Sequence, residues 1–240
     1  MRSIARSLLA AAVAVSLASC HKSHDPEGPR VTVLFTTDEH SHLFAVAPEV
    51  DDFDLATGTI KTSAGTGKLR GGIARRATIL DAQRAAAAGR GSEGTLTLSA
   101  GDYSQGSLSG AAHLMTAPDL VALNLLKYDA VAVGNHEFDV GSGGLAMSIG
   151  KAGAKLPPLV LTNVIFSPGN ASSDALQSVY GTANAIAPYR VIPLPSGRKI
   201  GVVAWMGVDA GTSAAGAAPV RFWSASATDP LADIAAQVQP

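Results

Sequence analysis

The chain has 240 residues, 18 Lys plus Arg against 19 Asp plus Glu, and 47% hydrophobic residues. That is one or two domains' worth of chain, and a net charge of −1 excludes a nucleic-acid polymer held by bulk basic charge. Charged residues are only 15%, below the ~25% usual for soluble domains, yet a mean hydropathy of +0.22 excludes a disordered chain, and a single cysteine excludes an internal disulfide framework.

Residues 1–20 read as a targeting segment. Arg2 and Arg6 supply a positive start, Leu8 to Leu17 an apolar run too short for the ~20 residues of a bilayer span. Leu17-Ala18-Ser19-Cys20 then resembles the bacterial lipobox, in which the cysteine thiol is lipidated and becomes the new N-terminus. The expectation is a lipoprotein signal peptide and a protein exported to the bacterial cell envelope, periplasm or cell surface, with a lipid on Cys20 as its membrane partner. Residues 21–30 read as a polar tether, with Pro26, Gly28 and Pro29 opposing regular structure.

Residues 31–240 alternate strands and helices. Val31 to Phe35 is a β-branched, apolar run that halts at Thr36-Thr37-Asp38, as a buried strand does. Glu49 to Lys68 is a polar, Gly/Thr-rich excursion. Ile73 to Arg90 is an Ala-rich helix stopped by Gly91. A second strand, Thr95 to Leu98, ends at Ser99-Ala100-Gly101-Asp102. Pro118 opens a short helix to Lys127. A third strand, Ala130 to Val133, ends at Gly134-Asn135-His136. A helix at Leu145 to Lys151 precedes a fourth strand, Leu159 to Leu161. Tyr189 to Leu194 and Lys199 to Trp205 flank Pro195-Ser196-Gly197-Arg198 as a hairpin, and Asp229 to Gln239 opens a last helix. This pattern predicts a layered α/β fold with a largely parallel central sheet, mixed through the late hairpin, and flanking helices.

Metal-type residues stand at three strand ends: Asp38 and His40, then Asp102, then Asn135 and His136. In open α/β sheets the carboxyl ends of strands form the ligand-binding edge. Each of these alone reads as a loop, a turn or a cap; their recurrence at consecutive strand ends points to one site. Mixed carboxylate, amide and imidazole donors suit Mn, Zn, Fe or Mg rather than copper. His42 reads as an exposed residue and His113 as a structural one.

The full strings are more specific than the spacings. Val33 to Leu43, with Thr37-Asp38-Glu39-His40 at its centre, resembles the first block of the calcineurin-like metallophosphoesterases in their 5′-nucleotidase branch. Gly71-Gly72-Ile73-Ala74-Arg75, Leu98 to Ser107 around Gly101-Asp102, and Tyr128 to Asp139 around Gly134-Asn135-His136-Glu137 resemble the blocks that follow in that family. The resemblance implies a metallophosphoesterase fold and two divalent metal ions. Asp38 and His40 would hold the first, Asp102 would bridge both, and Asn135 would hold the second. His136 would serve the transition state or leaving group, oriented by Asp139. The implied activity is hydrolysis of phosphate monoesters, nucleotides above all. A related di-manganese branch that hydrolyses sulfur-bound sulfonates is the alternative enzyme, and a non-catalytic envelope lipoprotein keeping a relic half-site the alternative of another class. The family also uses histidines from the second half of its metal-binding domain and a C-terminal nucleotide-binding domain. No histidine follows His136 here, so residues 31–240 are expected to be the N-terminal part of such a domain.

Overall fold

The structure, a computed structural model, describes residues 29–46, 53–54, 59–60, 70–181, 185–207, 209–224, 232 and 236. The expected signal peptide with Cys20, nearly all of the expected tether, most of the Glu49 to Lys68 excursion and most of the helix expected over Asp229 to Gln239 lie outside the described residues.

In chain order the elements are β1 (Thr32–Thr36), a two-residue pair β2 (Phe53–Asp54) and β3 (Thr59–Ile60), α1 (Ile73–Gly89), β4 (Thr95–Ser99), α2 (His113–Thr116), α3 (Pro118–Leu125), β5 (Ala130–Ala132), α4 (Gly141–Ala152), β6 (Leu159–Val160), β7 (Val164–Ile165), α5 (Ala171–Ser178), β8 (Ile186–Ala187), β9 (Arg190–Pro193), β10 (Lys199–Val202), α6 (Ala210–Ser213) and β11 (Arg221–Phe222). The central sheet runs β1-β4-β5-β6-β8, and every pairing in it is parallel. Antiparallel pairing is present too, but outside this sheet. The expected hairpin forms a separate ribbon of β9 and β10, and β7 pairs with β11 in another. Past Val202 the chain leaves β9 and turns to the end of β6, where Thr162 N donates to the Ala204 carbonyl at 2.8 Å. The strand expected to reach Trp205 therefore stops at Val202.

The helices cover one face of the sheet. In α1 the inward residues Ile73, Ala77, Leu80 and Ala87 recur at helical spacing, which lays one stripe on β1 and β4. Pro118 at the first turn of α3, where its missing N–H costs nothing, sets up Leu120 and Leu123, both buried. Leu145 and Ile149 of α4 and Leu176 of α5 complete a core with Val131, Leu159, Leu161 and Ile186 from the strands. Asn170 caps α5, its side-chain oxygen accepting from the backbone N–H groups of Ser172 and Ser173 at 3.1 and 3.2 Å. No helix among the described residues is long and apolar enough to cross a membrane. In a parallel sheet all strands end at the same edge, so the loops after β1, β4 and β5 emerge side by side.

Candidate metal centre

The loops after β1 and β4 continue the strand ladder beyond the strands. Ala100 N donates to the Thr36 carbonyl at 2.9 Å, Asp38 N to Gly101 at 3.2 Å, His40 N to Asp102 at 3.0 Å and Ser41 N to Tyr103 at 2.9 Å. This zipper holds the Asp38–His40 loop against the Asp102 loop. It does so in an uncommon backbone conformation: Asp38, His40, Ser41 and Asp102 all have φ between 44° and 56°. Left-handed backbone at non-glycine residues costs of order 1–3 kcal/mol each and clusters at functional sites.

The loop after β5 docks on the same point. Gly101, at φ +100°, lies so close to Gly134 that a Cβ on it would sit 2.6 Å from Gly134 N. A Cβ on Gly134 would run into Asp102 Oδ1. Asp102 Oδ1 accepts from His136 N at 3.0 Å. His40, Asp102 and His136 thereby come together, each offering a donor atom within 4.8 Å of the others, and the two imidazole rings meet edge to face at 4.9 Å.

The other expected residues stand around this triad. Asp38 Oδ1 is 3.8 Å from His40 Nε2, and the Asp38 side chain is exposed. Asn135 Nδ2 donates to the Ser213 carbonyl at 3.3 Å, which leaves its amide oxygen as the group suited to a cation. Asp139 Oδ2 lies 2.8 Å from His136 Nδ1. That hydrogen bond holds the His136 imidazole above its ordinary pKa, and the charges of Asp139 and Asp102 add to the effect against partial burial. With Nδ1 committed to Asp139, Nε2 is the ring atom left for chemistry. His42 is exposed and its Nδ1 lies 3.1 Å from the Glu39 carbonyl oxygen; it does not join the triad. His113 is buried.

Two acids that sequence reasoning left without a role support the site from behind. Glu137 is fully buried. Its Oε2 accepts from Asp102 N at 2.9 Å and Gly134 N at 2.7 Å, and its Oε1 from Ser104 N at 3.0 Å and Ser104 Oγ at 2.9 Å. One carboxylate therefore ties the β4 loop to the β5 loop. Burial pushes its pKa up to about 7, while the Ser104 and Gly134 donors pull it down. Glu39 turns inward, accepting from Thr36 Oγ1 and from Arg76 at 3.1 Å, and so fastens the first loop to α1. The signal for both was a carboxylate inside a string of site residues with no place in the ligand set.

One carboxylate and two imidazoles converging within 4.8 Å, with a second carboxylate and an amide beside them, form an oxygen–nitrogen donor set that fits a divalent ion. An open cleft beside this edge is lined by Asp38, Glu39, His42 and Arg76.

No family model matches the chain. Among curated proteins it is similar to the 5′-nucleotidase of Homo sapiens, 31% identical over 182 residues that cover 73% of this chain and 26% of that protein. It is also similar to Protein UshA of Salmonella pullorum, 32% identical over 139 residues, 58% of this chain and 21% of that one. The chain thus spans about a quarter of the length of the curated relatives it matches. Among solved structures it resembles a 5′-nucleotidase precursor from Thermus thermophilus, with a TM-score of 0.56 and 28% identity over 81% of this chain and 32% of that one. The calcineurin-like phosphoesterase YfkN from Bacillus subtilis shares the fold at a TM-score of 0.52 and 22% identity, covering 85% of this chain and 55% of its own. So does the sulfate thiohydrolase SoxB of Thermus thermophilus, at 0.55 and 15%, covering 83% and 40%.

Proposed function

The chain belongs to the 5′-nucleotidase branch of the calcineurin-like metallophosphoesterases, matching their N-terminal metallophosphatase portion, and on that premise we propose that it is the metal-binding part of a hydrolase that cleaves phosphate monoesters of nucleotides. The observation that carries the reading is the convergence of His40, Asp102 and His136 from three successive strand ends. His40 and Asp102 would hold an ion, with Asp38 and Asn135 beside them. When bound, such an ion supplies Lewis-acid polarisation of a phosphoryl oxygen and acidifies water.

The protein's own groups do the rest. His136, held at Nδ1 by Asp139, presents Nε2 to the ester and, as imidazolium, can donate a proton to the leaving oxygen. Asp139 orients that ring and stabilises its charge. The likeness to SoxB, at 15% identity, speaks for the fold only, so the sulfur-compound alternative gains no support on substrate, and the nucleotide reading stands on the curated relatives.

The test is phosphate release from a nucleoside monophosphate, with metal content measured on the same samples. His136→Ala is expected to keep its metal and to lose about 10²–10⁴-fold in turnover, the usual share of a general acid. Loss of metal in that variant would make His136 a ligand. No phosphate release in any metal would leave the non-catalytic relic.

We also infer export as a lipoprotein, supported by Arg2, Arg6, the Leu8 to Leu17 run and Cys20. Cys20→Ser is expected to release the protein from the membrane fraction; equal retention overturns the anchor.

A further inference from the structure

Behind the metal centre lies a second group of polar side chains, all shielded from solvent. Tyr103, the residue after Asp102, is 1% exposed, His113 is 1% and Asp119 is 2%. His113 Nδ1 lies 3.2 Å from Asp119 Oδ2. Asp119 Oδ1, Tyr103 Oη and His113 Nε2 have no hydrogen-bond partner in the protein. A buried polar atom left unpaired costs about 1–3 kcal/mol, so two residues that carry such atoms and line one space call for an occupant.

That space exists. Tyr103 and Asp119 both line a cavity of about 10 Å³, together with Glu39 and His42 from the first loop, Arg76 from α1 and Leu123 from α3. About 10–15 Å³ of such volume holds one water molecule, and a polar cavity of that size is hydrated where two or more partners face it. The occupant must accept from a phenol and donate to a carboxylate, which water does and a halide does not. The carboxylates of Asp119 and Glu39 repel an anion, and Arg76 disfavours a cation. Tyr103 is the donor, since a phenol O–H donates and a carboxylate oxygen accepts.

We propose that this cavity is a built site for one ordered water, which accepts from Tyr103 Oη, donates to Asp119 Oδ1, and so pins the Asp102–Tyr103 segment to helix α3. The His113–Asp119 pair then acts as the far anchor of a relay that runs through water to the residue next to a metal ligand. Tyr103 is thereby held at both ends, since its carbonyl also accepts from Ser41 N at 2.9 Å. Tyr103 and Asp119 are positioning residues; neither belongs to the His40, Asp102, His136 triad. The effect on metal rests on the function proposed above, whereas the water does not.

The first test is therefore a crystal structure of the full chain at a resolution that shows ordered water. One water within hydrogen-bond distance of both Tyr103 Oη and Asp119 Oδ1 is expected. A dry cavity, a direct Tyr103–Asp119 bond, or a water bonded to only one of the two overturns the proposal. The second test compares Mn²⁺ affinity of the wild type and Tyr103→Phe by calorimetry, at a temperature where both are fully folded. Tyr103→Phe keeps the ring, removes the donor, and is expected to weaken binding about tenfold, the lower end for groups behind a metal ligand. Asp119→Asn, which keeps an acceptor for the water, should retain wild-type affinity to within about threefold. Unchanged affinity in Tyr103→Phe removes the positioning role. Failure of the wild type to bind Mn²⁺ at all would instead strike the metal reading, and the crystallographic result would still decide the water.

Discussion

His136 and Asp139 illustrate how a three-residue spacing becomes chemistry. The short turn His136–Phe138 brings Asp139 Oδ2 to 2.8 Å from His136 Nδ1. The bond favours the imidazolium, so the folded-state pKa lies above the ordinary value. By linkage the pair contributes stability that is fully present below the unfolded pKa near 6.5 and is lost as pH rises through the folded value. In Asp139→Asn the carboxylate charge is gone, and the His136 titration followed by NMR is expected to move down; an unchanged midpoint would show that Asp139 does not govern the ring. Glu137 makes the complementary case. All four of its bonds come from donors, two on each oxygen. A glutamine there would point an N–H₂ either at two N–H groups or at an N–H and an O–H. Glu137→Gln is therefore expected to lose about 1–3 kcal/mol in urea unfolding, although it removes no metal ligand. Unchanged stability would mean that the carboxylate is protonated in the folded protein.

At the scale of elements, the site exists because two loops touch backbone to backbone. Gly101 and Gly134 are the point of contact, and Gly101 sits at φ +100°, where a side chain is strained whatever the space. Gly101→Ala adds overpacking of about 1–3 kcal/mol to a strain of similar size, so a loss of roughly 2–6 kcal/mol is expected in denaturant unfolding. Gly134→Ala pushes directly on Asp102 Oδ1 and should weaken metal binding more than its stability cost suggests. Much of this was legible in the sequence. Apolar runs stopped by Thr37-Asp38, Gly101-Asp102 and Asn135-His136 mark strands whose ends carry donors, and parallel strands bring those ends to one edge. What period and composition do not encode is which acid turns inward. Glu39 and Asp38 are neighbours, yet Glu39 is drawn in by Arg76, from a helix that starts more than thirty residues later, while Asp38 stays in solvent. The late hairpin was legible as a hairpin but not as a separate ribbon, because its place depends on Thr162 capturing Ala204.

At the scale of the whole molecule, the sheet edge collects donors from three strand ends and one backbone contact from the far part of the chain, Ser213 to Asn135. Only one cluster of His, Asp and Glu with converging donor atoms is present among the described residues, and it is built around a single position. The 240-residue chain is therefore expected to bind one divalent ion tightly. Because binding to the folded state alone stabilises by RT ln(1 + [L]/Kd), Mn²⁺ at a hundred times Kd should add about 2.7 kcal/mol. For a chain of this size that is a rise of roughly 5–10 °C in Tm. Asp102→Asn should abolish most of that rise, since Asp102 is the one carboxylate among the three converging groups and its backbone position is set by Glu137 rather than by the ion. Asp38→Asn, exposed and 3.8 Å from His40, should cost less. Calorimetry and a melting series in Mn²⁺ measure both quantities. Two tightly bound ions per chain would show that groups outside the described residues complete a second position, and a metal-dependent rise that survives Asp102→Asn would place the ion away from this edge.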